Sequence, residues 1–291
     1  MTEKQRDPAT NLLPPGSFEG KTAFVTGGGT GLGLAVCTRM GGLGASIVCA
    51  SRDTAHHDRL IARGKEQGFE VMSAALDVRE PADVKRVVHE ACERFGGIDV
   101  LVNNAAGNFI RPSMMLAPKG FRTVIDIALN GVFYVSREVG RRMREKGGSI
   151  VNISAPYAGT GKPGVVHSAC AKAGVDAMTR SLASEWAEYG IRVNAVSPGP
   201  FVSTGAADRL WPSEEIEQAV LDQLPMGRFA TAEEVGELVC LLASPATPWV
   251  TGAIWLADGG WTLPRPMVDM EDMEVFGRRR RSPSEGGESG A

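Results

Sequence analysis

Short apolar runs alternate along this chain with longer segments in which apolar residues recur at helical spacing. The runs are rich in β-branched residues and predict strands at 22–26, 46–50, 70–74, 100–103, 149–154, 192–197 and 253–256. The longer segments predict helices near 32–43, 54–67, 80–95, 118–146, 164–189 and 232–243. Because the runs are continuously apolar, we expect strands that are covered on both faces. The alternation therefore predicts an α/β domain with a doubly wound, parallel seven-stranded sheet.

The two ends of the chain lack this periodicity. Residues 1–17 are polar and hold three prolines, and residues 267–291 include a run of four arginines, Arg278–Arg281, among Ser, Gly and Glu. We expect both stretches to be flexible tails, the arginine run being solvated, on a single domain at 18–266. Segments 104–118 and 198–227 are long connections after strands, where open α/β sheets build their ligand sites, and the second is long enough to serve as a lid.

Composition narrows the classes of function. The 291 residues are 43% hydrophobic and 22% charged with a formal net charge of −3, which argues against nucleic-acid binding as the main task. No apolar stretch approaches the roughly 20 residues that a membrane-spanning helix needs, and the N-terminus does not resemble a secretory signal. The five cysteines have no metal-ligand spacing and suit a reducing compartment, so we expect a cytoplasmic protein without a metal site.

A glycine-rich turn directly follows the first predicted strand. It reads Thr26-Gly27-Gly28-Gly29-Thr30-Gly31-Leu32-Gly33 and leads into the first predicted helix. Glycines allow the backbone to approach a pyrophosphate, and the first N–H groups of a helix favour anions. Flexible turns also use glycine, but the position between a strand and a helix favours a Rossmann-type dinucleotide site.

The end of the second predicted strand bears on the choice of coenzyme. A carboxylate there would bind the ribose hydroxyls of NAD, and it would repel a 2′-phosphate. Here Ser51 is followed by Arg52, whose guanidinium can bind phosphate in a fork geometry, so we expect NADPH. In the alternative interpretation Arg52 is only solvated and Asp53 holds the ribose of NAD.

Together these features resemble the short-chain dehydrogenase/reductase family over about residues 18–262. The motifs that carry the resemblance are Thr26-Gly27-x-x-x-Gly31-x-Gly33, Asp77-Val78, Asn103-Asn104-Ala105-Ala106-Gly107, Lys172 and Pro198-Gly199. The resemblance implies that Asp77 and Val78 lie near the adenine, Asn104 and Ala105 beside the coenzyme, and the residues Pro198, Gly199, Pro200 and Phe201 against the nicotinamide. It also implies a homotetramer or homodimer formed through the helices near 118–146 and 164–189.

The chain departs from that family at its standard catalytic positions. The family places a tyrosine four residues before the lysine and a serine thirteen residues before that tyrosine, and these places hold Ser168 and Ala155. Either catalysis has been lost or another phenol has replaced the missing one. Of the three tyrosines, Tyr134 lies within a predicted helix and Tyr189 at the end of one. Tyr157 follows the fifth predicted strand, whose carboxyl end faces the expected pocket.

Tyr157 lies 15 residues before Lys172, an arrangement that resembles the 2,4-dienoyl-CoA reductase branch of the family. Three further stretches agree: 13–21, Asn108-Phe109-Ile110 and His167-Ser168-Ala169-Cys170-Ala171-Lys172. The resemblance implies an NADPH-dependent enzyme of fatty-acid metabolism that reduces 2,4-dienoyl-CoA to 3-enoyl-CoA. Hydride would arrive at carbon 5, the thioester oxygen would take up negative charge, and carbon 2 would be protonated.

The same resemblance implies roles for individual residues. Tyr157 and Asn108 would hold the thioester oxygen, Lys172 the nicotinamide ribose, and the residues Arg79, Phe109 and Arg209 the acyl-CoA. Ser168 would either carry a hydrogen bond between lysine and pocket or leave room for the acyl chain. Asn130 would line a buried polar path or mark a helix kink, and we interpret His167 as a packing or capping residue. Two alternatives remain. One is a trans-2-enoyl-CoA reductase, or another family member that reduces conjugated carbonyls or acyl thioesters, and the other is a non-catalytic nucleotide-binding module.

Overall fold

The computed structural model describes residues 12–202 and 213–264, and a seven-stranded parallel sheet forms their centre. The strands lie in the order β3-β2-β1-β4-β5-β6-β9, and each neighbouring pair is parallel. This confirms the predicted fold class. The seven strands are β1 (Thr22–Thr26), β2 (Ser46–Ser51), β3 (Val71–Ala75), β4 (Val100–Asn103), β5 (Gly148–Ile153), β6 (Ile191–Pro198) and β9 (Ile254–Ala257).

Helices cover both faces of the sheet and bury two apolar clusters against it. On one face lie α1, α2 and α9, and on the other α3, α5 and α7. Their bounds are α1 (Gly31–Gly42), α2 (Asp58–Gln67), α3 (Pro81–Phe95), α4 (Pro118–Ile125), α5 (Gly131–Met143), α7 (Val166–Trp186) and α9 (Ala232–Ala243). Because both faces are covered, β1 is buried along its whole length, as its continuous apolar run predicts.

The predicted helix near 118–146 is in fact three segments. Between α4 and α5 the backbone adopts a π-helical turn over Asp126–Asn130. A π-helical turn widens the helix locally and frequently occurs at functional sites. No Gly or Pro within these five residues signals the change, so apolar periodicity could not reveal it.

The edge of the sheet differs from the centre. Strand β3 begins one residue later than the sequence indicated, and its residues alternate between buried and more accessible positions. As the outermost strand it is covered on one face only, so the expectation of continuous burial was wrong there. Ser73 is exposed on this strand.

Further short elements lie in the long connections. Helix α6 (Tyr157–Thr160) follows β5, and helix α8 (Glu214–Leu221) lies in the described part of segment 198–227. A small parallel pair, β7 (Phe201–Val202) with β8 (Ala230–Thr231), joins the start of that segment to residues just beyond its end. These elements place the start of the segment beside the carboxyl end of β6.

The domain includes part of the segment that the sequence analysis placed in the N-terminal tail. Leu13 is buried in the apolar cluster on the α1 face. The Leu12 amide donates to the Glu237 carboxylate, and the Arg39 guanidinium donates to both that carboxylate and the Leu13 carbonyl. Packing therefore begins ahead of the boundary expected at Phe18. Within residues 12–202 and 213–264, no helix is both long and apolar enough to span a bilayer.

Candidate active site

A cleft of about 550 Å³ opens at the carboxyl ends of the central strands. Its walls come from the turn after β1, the end of β2 and the segments that follow β3 and β4. Most of the residues predicted to contact a coenzyme line it: Gly27, Gly29, Thr30, Gly31, Leu32, Ser51, Arg52, Asp77, Val78, Asn104, Ala105 and Phe201. The structure therefore brings these residues together around one cleft.

Two residues that were predicted to contact a coenzyme, Thr26 and Gly33, do not line the cleft but pack within the glycine-rich turn. The Thr26 hydroxyl accepts hydrogen bonds from the backbone amides of Asn104 and Ala105, both at 3.0 Å. Gly33 lies so close to the turn that a Cβ atom there would be 2.1 Å from the carbonyl oxygen of Gly27. Gly27 itself has a φ of +65°, which favours glycine. These contacts hold α1 against the turn with its N-terminal amides facing the cleft.

The segment after β6 is built by close backbone packing. Pro198 ends the strand, and the Gly199 amide donates to the carbonyl of Ala257 at 2.9 Å. A Cβ atom on Gly199 would lie 2.6 Å from the Cα of Asp258, so a larger residue does not fit. Pro200 lines a second cavity of about 200 Å³.

On one wall of the cleft, Ser51 and Arg52 lie next to each other at the end of β2. The Ser51 hydroxyl donates to the carbonyl of Asp53 at 2.9 Å, and the Arg52 side chain is exposed. His56 also lines the cleft, although the sequence analysis did not identify it.

Asp77 and Arg79 form an ion pair after β3. The Arg79 guanidinium donates to both carboxylate oxygens, at 2.9 and 3.1 Å from its Nε. The hydrogen bond with Arg79 holds the pKa of Asp77 below its ordinary value. Arg79 was predicted to contact the acyl-CoA, and in this structure Asp77 already holds its guanidinium. The other predicted substrate cation, Arg209, lies outside the described residues.

Tyr157 begins helix α6, and its hydroxyl has two polar neighbours. The Asn108 side-chain amide donates to the phenol oxygen at 3.3 Å, and the hydroxyl oxygen of Ser168 lies 3.1 Å from it. Burial raises the pKa of Tyr157, and the hydrogen bond with Ser168 opposes that rise. The phenol therefore keeps its proton at neutral pH and can donate a hydrogen bond to a bound oxygen.

The other two tyrosines lie elsewhere. Tyr134 packs against the apolar cluster on the α5 face, and the guanidinium of Arg144 lies 5.0 Å from the ring centre of Tyr189. Tyr157 is thus the tyrosine that the fold places with Asn108 and Ser168. Ala155, at the standard serine position, is buried and carries no polar side-chain atom.

Lys172 lies on α7, one helical turn after Ser168, and its side chain is buried. Its ammonium donates to the backbone carbonyl of Ile153 at the end of β5. Burial lowers the pKa of Lys172 to about 8, and the charge of Asp176 opposes that shift. Asp176 accepts a hydrogen bond from the Ser154 hydroxyl, and burial raises its pKa. The sequence analysis did not identify Asp176, although its position four residues after Lys172 places both on one helix face.

Two further candidate residues are Asn130, in the π-helical turn, and His167, which precedes Ser168 on α7. Asn130 ends the π-helical turn and donates to the Asp126 carboxylate at 2.9 Å. His167 is fully buried, and its ring packs edge-on against Phe109 with the ring centres 4.4 Å apart. Burial lowers the pKa of His167, so the imidazole is neutral. This position agrees with the interpretation of His167 as a packing residue that supports Phe109.

Comparison with known proteins gives similarities over most of the chain. The family model described as enoyl-(acyl carrier protein) reductase matches residues 27–262. A probable 2,4-dienoyl-CoA reductase of Bacillus subtilis (strain 168), described as (2E)-enoyl-CoA-producing, is 40% identical over 256 residues, covering 86% of this chain and 100% of that protein. A peroxisomal 2,4-dienoyl-CoA reductase of Pongo abelii, described as (3E)-enoyl-CoA-producing, is 37% identical over 273 residues, covering 91% and 92%.

A solved structure gives the same result for the fold. The crystal structure of a gluconate 5-dehydrogenase from Burkholderia cenocepacia J2315, in complex with NADP and tartrate, superposes with a TM-score of 0.80. The two sequences are 31% identical, and the match covers 85% of this chain and 97% of that one.

Proposed function

Because this chain belongs to the short-chain dehydrogenase/reductase family, we propose that it is an NADPH-dependent oxidoreductase that reduces 2,4-dienoyl-CoA to 3-enoyl-CoA. Relatives named as 2,4-dienoyl-CoA reductases support the substrate class. One observation carries the proposal: the Tyr157 phenol meets the Asn108 amide and the Ser168 hydroxyl. A donor pair is thus present although the family's standard serine and tyrosine are absent.

The cleft fits a nicotinamide dinucleotide. Its floor is the glycine turn, where Gly27 adopts a positive φ and the first amides of α1 are available to a pyrophosphate. Ser51 and Arg52 would hold a 2′-phosphate, Asp77 and Val78 the adenine, and Asn104 and Ala105 the central part. Lys172 and the segment from Pro198 to Phe201 would hold the nicotinamide half. When bound, the reduced nicotinamide supplies the hydride.

The residues of this chain would stabilise charge on the substrate. Tyr157 Oη–H and Asn108 Nδ2–H are donors within 3.3 Å of each other, so both can reach one thioester oxygen. Donors placed in advance lower the energy of the negative charge that develops there. Ser168 would hold the phenol in this orientation, and Lys172 would bring a positive charge to the ribose side.

The proposed substrate contacts follow from the positions of two side chains. Phe109 adjoins Asn108 and is partly exposed, so its ring can pack against an acyl chain. Arg79 would reach the coenzyme A phosphates if the Asp77 pair reorganised. Location in the cytoplasm and assembly as a homotetramer or homodimer stay predictions.

An assay panel tests the proposal. We expect NADPH oxidation with 2,4-hexadienoyl-CoA to exceed that with crotonyl-CoA, and no turnover of an acetoacetyl thioester. Preferential turnover of crotonyl-CoA would favour the enoyl reductase activity that the matching family model describes. Turnover of acetoacetyl thioester alone would exclude both activities, and binding of NADPH without turnover of any substrate would indicate a non-catalytic nucleotide-binding module.

A further inference from the structure

We propose that His57 is a positioning residue that sets coenzyme selectivity by orienting the Ser51 hydroxyl at the adenosine end of the cleft. This inference rests on the proposed use of NADPH. His57 ends the short 3-10 turn before α2 and is fully buried, and it does not line the cleft itself.

A chain of three side chains runs through His57. Its Nε2 lies 2.6 Å from the Ser51 hydroxyl oxygen, and its Nδ1 lies 2.7 Å from the Ser73 hydroxyl oxygen. Ser73 is on the edge strand β3 and Ser51 ends the neighbouring strand β2, so the imidazole bridges two strands. Both ring nitrogens are therefore engaged, and the ring orientation is fixed.

Counting hydrogens assigns the direction of this chain. A serine hydroxyl has one hydrogen, and that of Ser51 goes to the Asp53 carbonyl, which can only accept. The hydrogen between Ser51 and His57 must then come from Nε2. With Nε2 protonated, a neutral ring has an unprotonated Nδ1, which accepts from the Ser73 hydroxyl. The hydrogen bond from Ser51 to Asp53 thus selects this tautomer of His57, and the Ser73 hydroxyl stabilises it by donating to Nδ1, so that Nε2–H faces Ser51.

The imidazole also supports the phosphate-binding turn. A Cβ atom on Gly29 would lie 2.9 Å from Cδ2 of His57 and 3.1 Å from Cβ of His56. His57 therefore packs directly behind the glycine turn while it bonds to the strand that ends in Ser51. It connects the two parts of the cleft that would read the pyrophosphate and the adenosine ribose.

As a consequence, the Ser51 hydroxyl is oriented so that it can donate a hydrogen bond to an acceptor in the cleft. Because His57 occupies one acceptor position of Ser51, the serine hydrogen can turn from the Asp53 carbonyl to an acceptor in the cleft. The oxygens of a 2′-phosphate are acceptors, and a hydrogen bond to such an anion is stronger than one to a neutral group. The 2′-hydroxyl of NADH can itself donate to Ser51, so its binding depends less on the direction that His57 imposes.

The direct test measures dissociation constants of NADPH and NADH by fluorescence titration of the full-length protein. We expect His57→Leu to weaken NADPH about tenfold or more and NADH less than about threefold. His57→Gln offers an amide donor in place of Nε2 and should recover part of the preference for NADPH. Equal loss of both coenzymes, or no loss of NADPH, in a folded His57→Leu protein would overturn the inference.

A second test does not require substitution of a buried residue. Ser73 is exposed and its hydroxyl lies 2.7 Å from His57 Nδ1, so Ser73→Ala in the otherwise unchanged protein should reduce the preference for NADPH severalfold. In a Ser51→Ala background the same change should have no effect on that preference, because the chain is already broken. An effect of equal size in both backgrounds would contradict the proposed chain.

These titrations also separate this inference from the proposed function. The titrations measure coenzyme binding and not turnover of a dienoyl-CoA. Their result therefore does not depend on whether the proposed substrate is correct. An unmodified protein that binds both coenzymes equally would overturn the choice of NADPH, and with it the role of His57. A protein that prefers NADPH regardless of residue 57 would overturn the role of His57 alone.

Discussion

The phenol oxygen of Tyr157 lies 3.1 Å from the hydroxyl oxygen of Ser168, although the two residues belong to different helices. Ser168 occupies the place of the family's usual tyrosine on α7, one turn before Lys172. The Tyr157 phenol instead extends from α6, which follows β5. It contacts Ser168 on the face of α7 that also carries Lys172. A phenol hydroxyl is therefore still present beside α7, although it comes from Tyr157 and not from position 168.

Tyr157→Phe tests the phenol directly. Loss of one donor to a developing oxyanion typically costs about 100- to 1000-fold in rate. We therefore expect kcat for 2,4-hexadienoyl-CoA to fall by that factor, while NADPH binding stays within about twofold because the ring shape is kept. Steady-state NADPH oxidation and fluorescence titration measure the two quantities.

Tyr134→Phe is the matched control, since that ring packs against the α5 face of the core. It should leave kcat within about twofold. A Tyr157→Phe protein with the rate of the unmodified enzyme would remove the phenol from the mechanism.

The parallel seven-stranded sheet and the glycine turn after β1 could be predicted because each depends on local signals. Buried strands produce apolar runs, and the glycine turn must have its residues at fixed places. All seven sheet strands begin within one residue of the expected positions. The π-helical turn at Asp126–Asn130 gave no such signal, because its side chains keep a helix-like pattern.

The residues that sequence reasoning missed act through partners that are distant along the chain. Asp176 matters because it accepts from Ser154, 22 residues earlier, and His57 because it meets Ser73, 16 residues later. Such pairs depend on how helices lie over the sheet. Arg79 and Asp77 are only two residues apart, yet the sequence analysis did not predict their ion pair. An arginine near a pocket can bind either a ligand or a neighbouring carboxylate, and the sequence does not distinguish the two.

Arg52→Ala should separate the two coenzymes. The exposed guanidinium at the end of β2 would form charge-assisted hydrogen bonds with a 2′-phosphate. We expect the dissociation constant of NADPH to rise about 10- to 100-fold and that of NADH to change less than about threefold. Added salt should narrow the difference in the unmodified protein, since the site is open to solvent.

Arg59→Ala serves as the control, because Arg59 is an exposed arginine on the neighbouring helix α2. It should leave the dissociation constants of both coenzymes unchanged. If Arg52→Ala weakened both coenzymes equally, the guanidinium would not be the phosphate-reading group, and Asp53 with NAD would become the better interpretation.

Lys172 should make stability depend on pH. Burial lowers its pKa to about 8 from an ordinary value of 10.5. Below about pH 8 the folded and unfolded chains both hold the proton, so the folded state bears the full cost of a buried charge. Between about pH 8 and 10.5 the folded chain releases the proton and the unfolded chain keeps it, so the free energy of unfolding rises with pH. The contribution of Lys172 to that rise is at most about 3 kcal/mol.

Urea unfolding of the coenzyme-free protein across this range measures the effect. Lys172→Met keeps a long side chain without a titrating group, so the difference in unfolding free energy between the two proteins should change with pH. Parallel curves would mean that Lys172 keeps an ordinary pKa in the folded protein.

The position of protonation tests the placement of the donors. The two relatives compared above are described as making different products, (2E)- and (3E)-enoyl-CoA. In this chain the proton-bearing groups Tyr157, Ser168 and Asn108 cluster where the thioester oxygen would bind. Carbon 2 is the nucleophilic carbon nearest that oxygen and carbon 4 lies two bonds farther away, so we expect protonation at carbon 2 and a 3-enoyl product. For a reaction in D₂O, NMR of the product should then show solvent deuterium at carbon 2, whereas NADPH deuterated at the transferred hydrogen should label carbon 5. Solvent deuterium at carbon 4 would give the 2-enoyl product, and it would mean that a group at the far end of the substrate delivers the proton.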